Sequence, residues 1–314
     1  MLDVFLYTLN GVVPIFLLIF LGILLAHLGF FPSEVKSKLV SLVFYVGTPA
    51  LIFRQIASAD LRAAVSPRYL LFLVLMMPAQ IFLMWLLCFF IRDPKRKGAV
   101  IQLAYRSNVA IVGLPLAERL MSPEGVTLTA LSLSFTIIIF NTSAVILLSY
   151  YGGGERKLKP VFLAVAKNPL IISVVLGTIA SLLGLPMESG TVHVETLRSL
   201  GSIASSLGLL VIGASITLRG FTAERFCILY AVLLRCAVSP LFILGTAALL
   251  GFRGEVLITL AILSATPSAV NCYVMAKKMG VSGTISAFGV SFTSLFSLLS
   301  VFLSIFILKT TGLA

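Results

Sequence analysis

Arg106-Ser107-Asn108-Val109-Ala110-Ile111-Val112-Gly113-Leu114-Pro115 lies inside an apolar run from about Gly98 to Leu120, long enough to span a bilayer. In hydrocarbon every backbone N–H and C=O needs an internal partner. Glycine, proline and polar side chains at mid-depth therefore predict a broken helix beside a cavity. Thr266-Pro267-Ser268-Ala269-Val270-Asn271 predicts a second break of the same kind. Two interrupted helices in corresponding halves of a chain are the sequence pattern of a transport site.

Composition supports the membrane setting. The 314 residues are 59% hydrophobic and 11% charged, with a mean hydropathy of +1.12, whereas a soluble domain carries roughly 25% charged residues. An all-α polytopic membrane protein is predicted. The net charge of +12 fits the Lys/Arg excess of cytoplasmic loops. No basic run has interleaved aromatics, so no nucleic-acid partner is expected. Cys88, Cys227, Cys236 and Cys272 fall inside apolar segments without metal-ligand spacing and read as packed thiols. Met1–Asn10 carries Asp3 and no Lys or Arg. It lacks the basic region of a signal peptide, and the first apolar segment is expected to be retained as a helix.

Apolar runs of about 20 residues predict ten spans, near 6–28, 36–56, 68–91, 98–120, 125–150, 161–183, 198–218, 225–250, 255–278 and 283–308. Glycines, charges and a proline make 152–160 a linker between residues 1–151 and 161–314. The halves look alike. Pro14, Gly22 and Gly29 recur as Pro169, Gly177 and Gly184, Gly125-Val126 as Gly280-Val281, and Ser134-Phe135-Thr136 as Ser291-Phe292-Thr293. An internal repeat of five helices is odd in number, so its second copy enters the membrane from the opposite face. Fourteen Lys and Arg residues fall on the side of the 152–160 linker and seven on the other. The positive-inside rule then makes the linker side cytoplasmic and places both termini outside the cell membrane.

Few residues suit catalysis. His27 and His193 are the only histidines, and the acidic residues all lie near segment ends or in loops. No enzyme activity, cofactor or metal is expected. Cation-coupled pumps usually hold Asp or Glu at mid-depth, whereas the charged groups well inside segments here are Arg106 and Arg235. Each either snorkels or binds backbone carbonyls, or supplies a positive potential that draws an anion to the breaks. A carboxylate is the natural partner for the second role. Asn108 and Asn271 both donate and accept hydrogen bonds, Ser107 and Ser268 add hydroxyls, and Gly113, Pro115 and Pro267 shape the breaks. Ser268 and Asn271 are expected on one helical face at i and i+3. Gly47-Thr48-Pro49 is a further kink signal, with Thr48 reaching a central cavity or bonding its own helix. Asn141 reads as an interhelical hydrogen bond or a ligand contact, and Trp85 as a lipid-facing or packing residue.

Asn108-x4-Gly113-x-Pro115, Pro267-x8-Ala276-Lys277 and Val46-Gly47-Thr48-Pro49-Ala50-Leu51 resemble the fourth-, ninth- and second-helix motifs of the auxin efflux carrier family. The family includes plant auxin exporters and bacterial permeases assigned to malonate or malate. The resemblance implies a ten-helix 5+5 inverted repeat like the sodium/proton antiporter and bile-acid symporter folds. Spans 1, 2, 6 and 7 would form a scaffold, and spans 3–5 and 8–10 a transport domain where spans 4 and 9 cross. A homodimer through the scaffold and an elevator-like motion are also implied. The plant exporters have proline where this chain has Ser107, and a long loop where it has 152–160, so a compact bacterial-type member is expected.

The sequence thus predicts a secondary carrier of a small organic anion, a mono- or dicarboxylate, with Asn108, Asn271, Ser107, Ser268 and Thr48 facing substrate. An inside-negative potential favours anion exit by about 2.3 kcal/mol per charge per 100 mV, so efflux needs no coupling-ion site. A sodium- or proton-coupled symporter of the bile-acid carrier type and a non-transporting ligand sensor are the alternatives.

Overall fold

The computed structural model describes residues 2–58, 66–153, 169–187, 190–216 and 224–314. Among these the chain is helical without a named strand. In order the helices are α1 (Leu2–His27), α2 (Ser33–Leu42), α3 (Thr48–Ala57), α4 (Pro67–Leu87), α5 (Pro94–Tyr105), α6 (Leu114–Leu120) and α7 (Pro123–Gly152). They continue as α8 (Pro169–Leu182), α9 (Val192–Ala214), α10 (Arg225–Leu233), α11 (Ser239–Leu249), α12 (Glu255–Ala265), α13 (Asn271–Lys278) and α14 (Gly283–Thr310). Serine or aspartate caps open four of them: Ser66, Asp93, Ser122 and Ser282 each accept from a backbone N–H in the first turn.

Among the described residues seven continuous stretches are long and apolar enough to cross a membrane, in place of the ten counted from hydropathy. They match the expected spans 1, 2, 3, 5, 7, 8 and 10. The expected spans 98–120 and 255–278 are each two shorter helices separated by unwound backbone. Of the expected span 161–183, only α8 onward is described. Residues 161–168, like 154–160 of the expected linker, lie outside the described residues. Helix α9 starts at Val192, six residues before the hydropathy limit, because its first turns carry His193, Glu195 and Arg198.

Three π-helical turns, Val43–Gly47, Val109–Gly113 and Leu234–Val238, each run into a helix whose second residue is proline: Pro49, Pro115 and Pro240. A proline ring clashes with the carbonyl four residues back and cannot donate to it. Widening the preceding turn relieves the clash and leaves that carbonyl free for another partner. For Pro240 the carbonyl is that of Cys236, which accepts from Ser300 Oγ at 2.6 Å. Gly47-Thr48-Pro49 therefore marks a widened turn within one apolar stretch, Glu34–Ala57.

Helix α1 packs along α9, and α3 packs against α8 and α9. Helices α5, α7, α10, α12, α13 and α14 pack among themselves around the broken elements. The α1–α9 crossing is close because both helices present glycine. A Cβ on Gly22 would fall 2.0 Å from the Leu210 carbonyl oxygen, and one on Gly213 would fall 1.9 Å from that of Ile19. Such small-residue contacts let apolar helices associate by close packing where no hydrophobic force drives them together. Gly213→Val is expected to push the helices apart and cost about 1–3 kcal/mol, the usual range for overpacking. Thermal unfolding of detergent-purified protein measures this, and an unchanged midpoint would mean the crossing has spare room.

Candidate substrate site

Helix α5 ends at Tyr105, and the backbone stays extended through Arg106 before the π turn starts at Val109. After α12 the chain is unwound from Thr266 until α13 begins at Asn271. Thr266, at φ −65° and ψ 156°, has the extended conformation that a following proline imposes. The two unwound stretches meet and pair antiparallel. The Asn108 N–H donates to the Pro267 carbonyl at 2.8 Å, the Ala269 N–H to the Arg106 carbonyl at 3.0 Å, and Ser107 lies opposite Ser268. Each break thus supplies partners for the other's freed backbone groups, as an apolar interior requires.

Arg235 satisfies the remaining ends. It is wholly buried. Its Nη1 donates to the Tyr105 carbonyl at 3.0 Å, Nε to Thr266 at 2.8 Å and Nη2 to Leu263 at 3.0 Å. A longer contact from Nη1 reaches the Ala104 carbonyl at 3.5 Å. The guanidinium therefore caps the C-terminal ends of α5 and α12 together, where unpaired carbonyls concentrate negative partial charge. Beside it Ser239 Oγ donates to the Ser264 carbonyl at 3.1 Å and accepts from Gln80 Nε2 at 2.7 Å.

A cavity of about 90 Å³ lies against the crossing. Residues 106–111 and 269–271 form one side, and α7 contributes Thr136, Phe140 and Asn141. The opposite wall is apolar, built from Val43 and Phe44 and from Val211 and Ile212 of α9. Arg106 is the only charged residue lining the cavity among the described residues. Its Nη2 donates to Asn141 Oδ1 at 2.5 Å and its Nη1 contacts Met275 Sδ at 2.9 Å. Ser107 Oγ and Asn108 Nδ2 are buried without a hydrogen-bond partner. A buried polar group left unpaired costs about 1–3 kcal/mol, so both are poised for a ligand. The helical turns that start at Val109 and Asn271 also begin at this cavity, bringing two partial positive charges to it.

The structure thus gathers Arg106, Ser107, Asn108 and Asn271 in one place. It puts the other sequence candidates elsewhere. Thr48 is buried away from the cavity, and its hydroxyl neither reaches a ligand position nor bonds its own helix. Ser268 is wholly buried and donates to the Leu103 carbonyl at 2.7 Å. Its expected face shared with Asn271 does not exist, because Pro267 keeps 266–270 unwound. Arg235 does not line the cavity. Of its two readings, binding to backbone carbonyls is the one observed. Pro267 sits in the crossing itself, whereas Pro49 and Pro115 act through their π turns. Gly113 lets the π turn approach α12, since a Cβ there would meet Ile262 Cγ2 at 2.8 Å. Asn141, read above as either an interhelical bond or a contact, lines the cavity and holds Arg106. Its signal was a lone amide within an apolar run. The apolar wall carried no signal that separates it from lipid-facing residues.

Two broken helices paired at their unwound centres, with a polar-edged cavity against them in a multi-pass apolar chain, define a membrane transporter. The chain belongs to the membrane transport protein family, that of the auxin efflux carriers, whose family model matches residues 7–305. It is 28% identical over 282 residues to an "Uncharacterized transporter" of Methanothermobacter thermautotrophicus, covering 87% of this chain and 89% of that protein. It is 24% identical over 313 residues to a "Putative malonate transporter" of Rhizobium meliloti, covering 96% of each.

Proposed function

We propose that this transporter carries a small organic anion, bound at the crossing by Arg106, Ser107, Asn108 and Asn271. The observation that carries the reading is one cavity holding an arginine, an unpaired hydroxyl and an unpaired amide N–H, with no lining carboxylate among the described residues. Guanidinium and neutral donors together suit a carboxylate. The relative named for malonate is compatible with that class. A cation-coupled symporter would be expected to bring an acidic group to such a site, and none lines this cavity among the described residues.

The packing supports an elevator-type movement. The crossing belongs to the group of α5, α7 and α10–α14, and the apolar wall to α2, α9 and their neighbours. Displacement of the first group against the second would expose the cavity to alternate sides, in the manner of an elevator built on a 5+5 inverted repeat. Val43 and Phe44 follow the cytoplasmic start of α2, and Ser215 ends α9 on the side assigned to the cytoplasm by the Lys/Arg count. The cavity therefore lies in the inner half of a cell membrane. Loading from inside and exit down the potential make efflux the favoured direction.

Asn108→Ala is expected to remove measurable binding of carboxylate probes while leaving folding and membrane insertion intact. Its amide Nδ2 has no hydrogen-bond partner in the fold. Isothermal titration of purified protein against a carboxylate panel tests this, and unchanged affinity would reject the assignment.

A further inference from the structure

We propose that Asn141, by holding Arg106 without neutralising it, sets the charge the cavity accepts. The substrate is then an anion with one negative charge on a compact apolar body. This inference rests on the organic-anion reading above and narrows it.

Three observations carry it. First, the partner of Arg106 across the cavity is an amide, Asn141 Oδ1 at 2.5 Å, and no carboxylate among the described residues pairs with the guanidinium. A buried or half-buried arginine is normally matched by a carboxylate, because an unmatched charge in a low-dielectric site is costly. Here the match is left open and a ligand carboxylate completes it. Second, the unpaired donors Ser107 Oγ and Asn108 Nδ2 stand in the two residues directly after Arg106, so the groups able to receive a carboxylate are gathered at one end. Third, the far wall is Val43, Phe44, Val211 and Ile212, and the hydroxyl of Ser215 at its edge is already committed to the Val211 carbonyl at 2.7 Å. A second carboxylate would lie against hydrocarbon with no cation to meet it, whereas a methyl or methylene group would fit there at no electrostatic cost. Lys36 donates to the Ala214 carbonyl at 3.3 Å, next to the lining Ser215, but does not itself line the cavity.

Asn141 is therefore a specificity-determining position. Aspartate there would pair with Arg106 and bring the cavity to zero net charge. Leucine would release Arg106 but leave its charge in place.

Butyrate and succinate, which share four carbons and differ by one charge, are the probes. Titration into purified full-length protein at pH 7.5 is expected to show butyrate binding at least tenfold tighter than succinate. Asn141→Asp is expected to weaken butyrate at least tenfold and to erase the preference. Asn141→Leu is expected to weaken butyrate less than fivefold and to keep the preference, whereas the ratio lost in Asn141→Asp is a readout that a purely structural role would not change. Circular dichroism and thermal unfolding establish that both variants are folded. Succinate binding as tightly as butyrate, or Asn141→Asp binding butyrate like the wild type, overturns the inference and leaves the organic-anion reading standing. If the wild type binds neither probe nor any member of the carboxylate panel, both fall.

Discussion

Arg235→Met is expected to lower the thermal unfolding midpoint by on the order of 10 °C and to abolish ligand binding. The substitution leaves the carbonyls of Tyr105, Leu263 and Thr266 without the donors that now reach them. Each orphaned buried carbonyl costs about 1–3 kcal/mol, partly offset because a buried charge is also removed. Three such carbonyls less that offset leave a net loss of about 3–5 kcal/mol, and each kcal/mol moves a midpoint by about 2–4 °C in larger domains. Arg235→Lys should fall between the two proteins. A lysine keeps the charge but radiates its donors from one nitrogen, and it cannot span two helix ends as a planar guanidinium does. A Met variant as stable as the parent would mean that the two breaks are held by their own pairing alone.

Arg106→Ala is expected to weaken binding strongly with little effect on stability. Its guanidinium reaches Asn141 Oδ1 and Met275 Sδ, and no backbone carbonyl that the fold needs. Losing a partly buried charge that pairs with a ligand carboxylate costs about 2–5 kcal/mol, or roughly 30- to several-thousand-fold in Kd at 1.4 kcal/mol per tenfold. Arg106→Lys should recover part of that loss, since it restores the charge without the planar fork. The measurement is Kd for a carboxylate probe alongside the unfolding midpoint. A Kd within a few-fold of the parent would remove Arg106 from the site, and the same Kd with a collapsed midpoint would recast it as a structural residue.

The two arginines show how far the sequence could be read. Both stand out as cations inside apolar segments. Pro267 marks the second break directly, whereas Gly113 and Pro115 lie five or more residues past the unwound backbone at 106–108. What spacing could not reveal was which arginine faces the cavity. Arg106 stands in the break, and Arg235 stands on an unbroken apolar stretch one layer behind it. That difference comes from how helices distant in sequence pack together. Ser268 was misplaced for a related reason. A helical period does not run through Pro267, where the local geometry is extended and the Ser268 side chain turns toward the Leu103 carbonyl. The π turns were legible only as prolines, since the widened turn is the backbone's response to a ring in a continuous helix. Asn141 was visible as a polar residue in hydrocarbon, but its hold on Arg106 depends on a contact 35 residues away.

The antiparallel bridge at Ser107 and Ser268 also has a mechanical side. Two backbone hydrogen bonds tie one broken element to the other, and Arg235 clamps the helix ends just behind them. Residues 106–108 and Asn271, the proposed ligand partners, are therefore riveted into a single block, and no part of the grip would be left behind if that block shifted. The surface it would slide past is mostly hydrocarbon, Val43, Phe44, Val211 and Ile212, and the one hydroxyl on its α9 edge, that of Ser215, donates to the Val211 carbonyl. In the elevator motion proposed above, friction would be low on the side that slips, and stiffness would be concentrated on the side that holds.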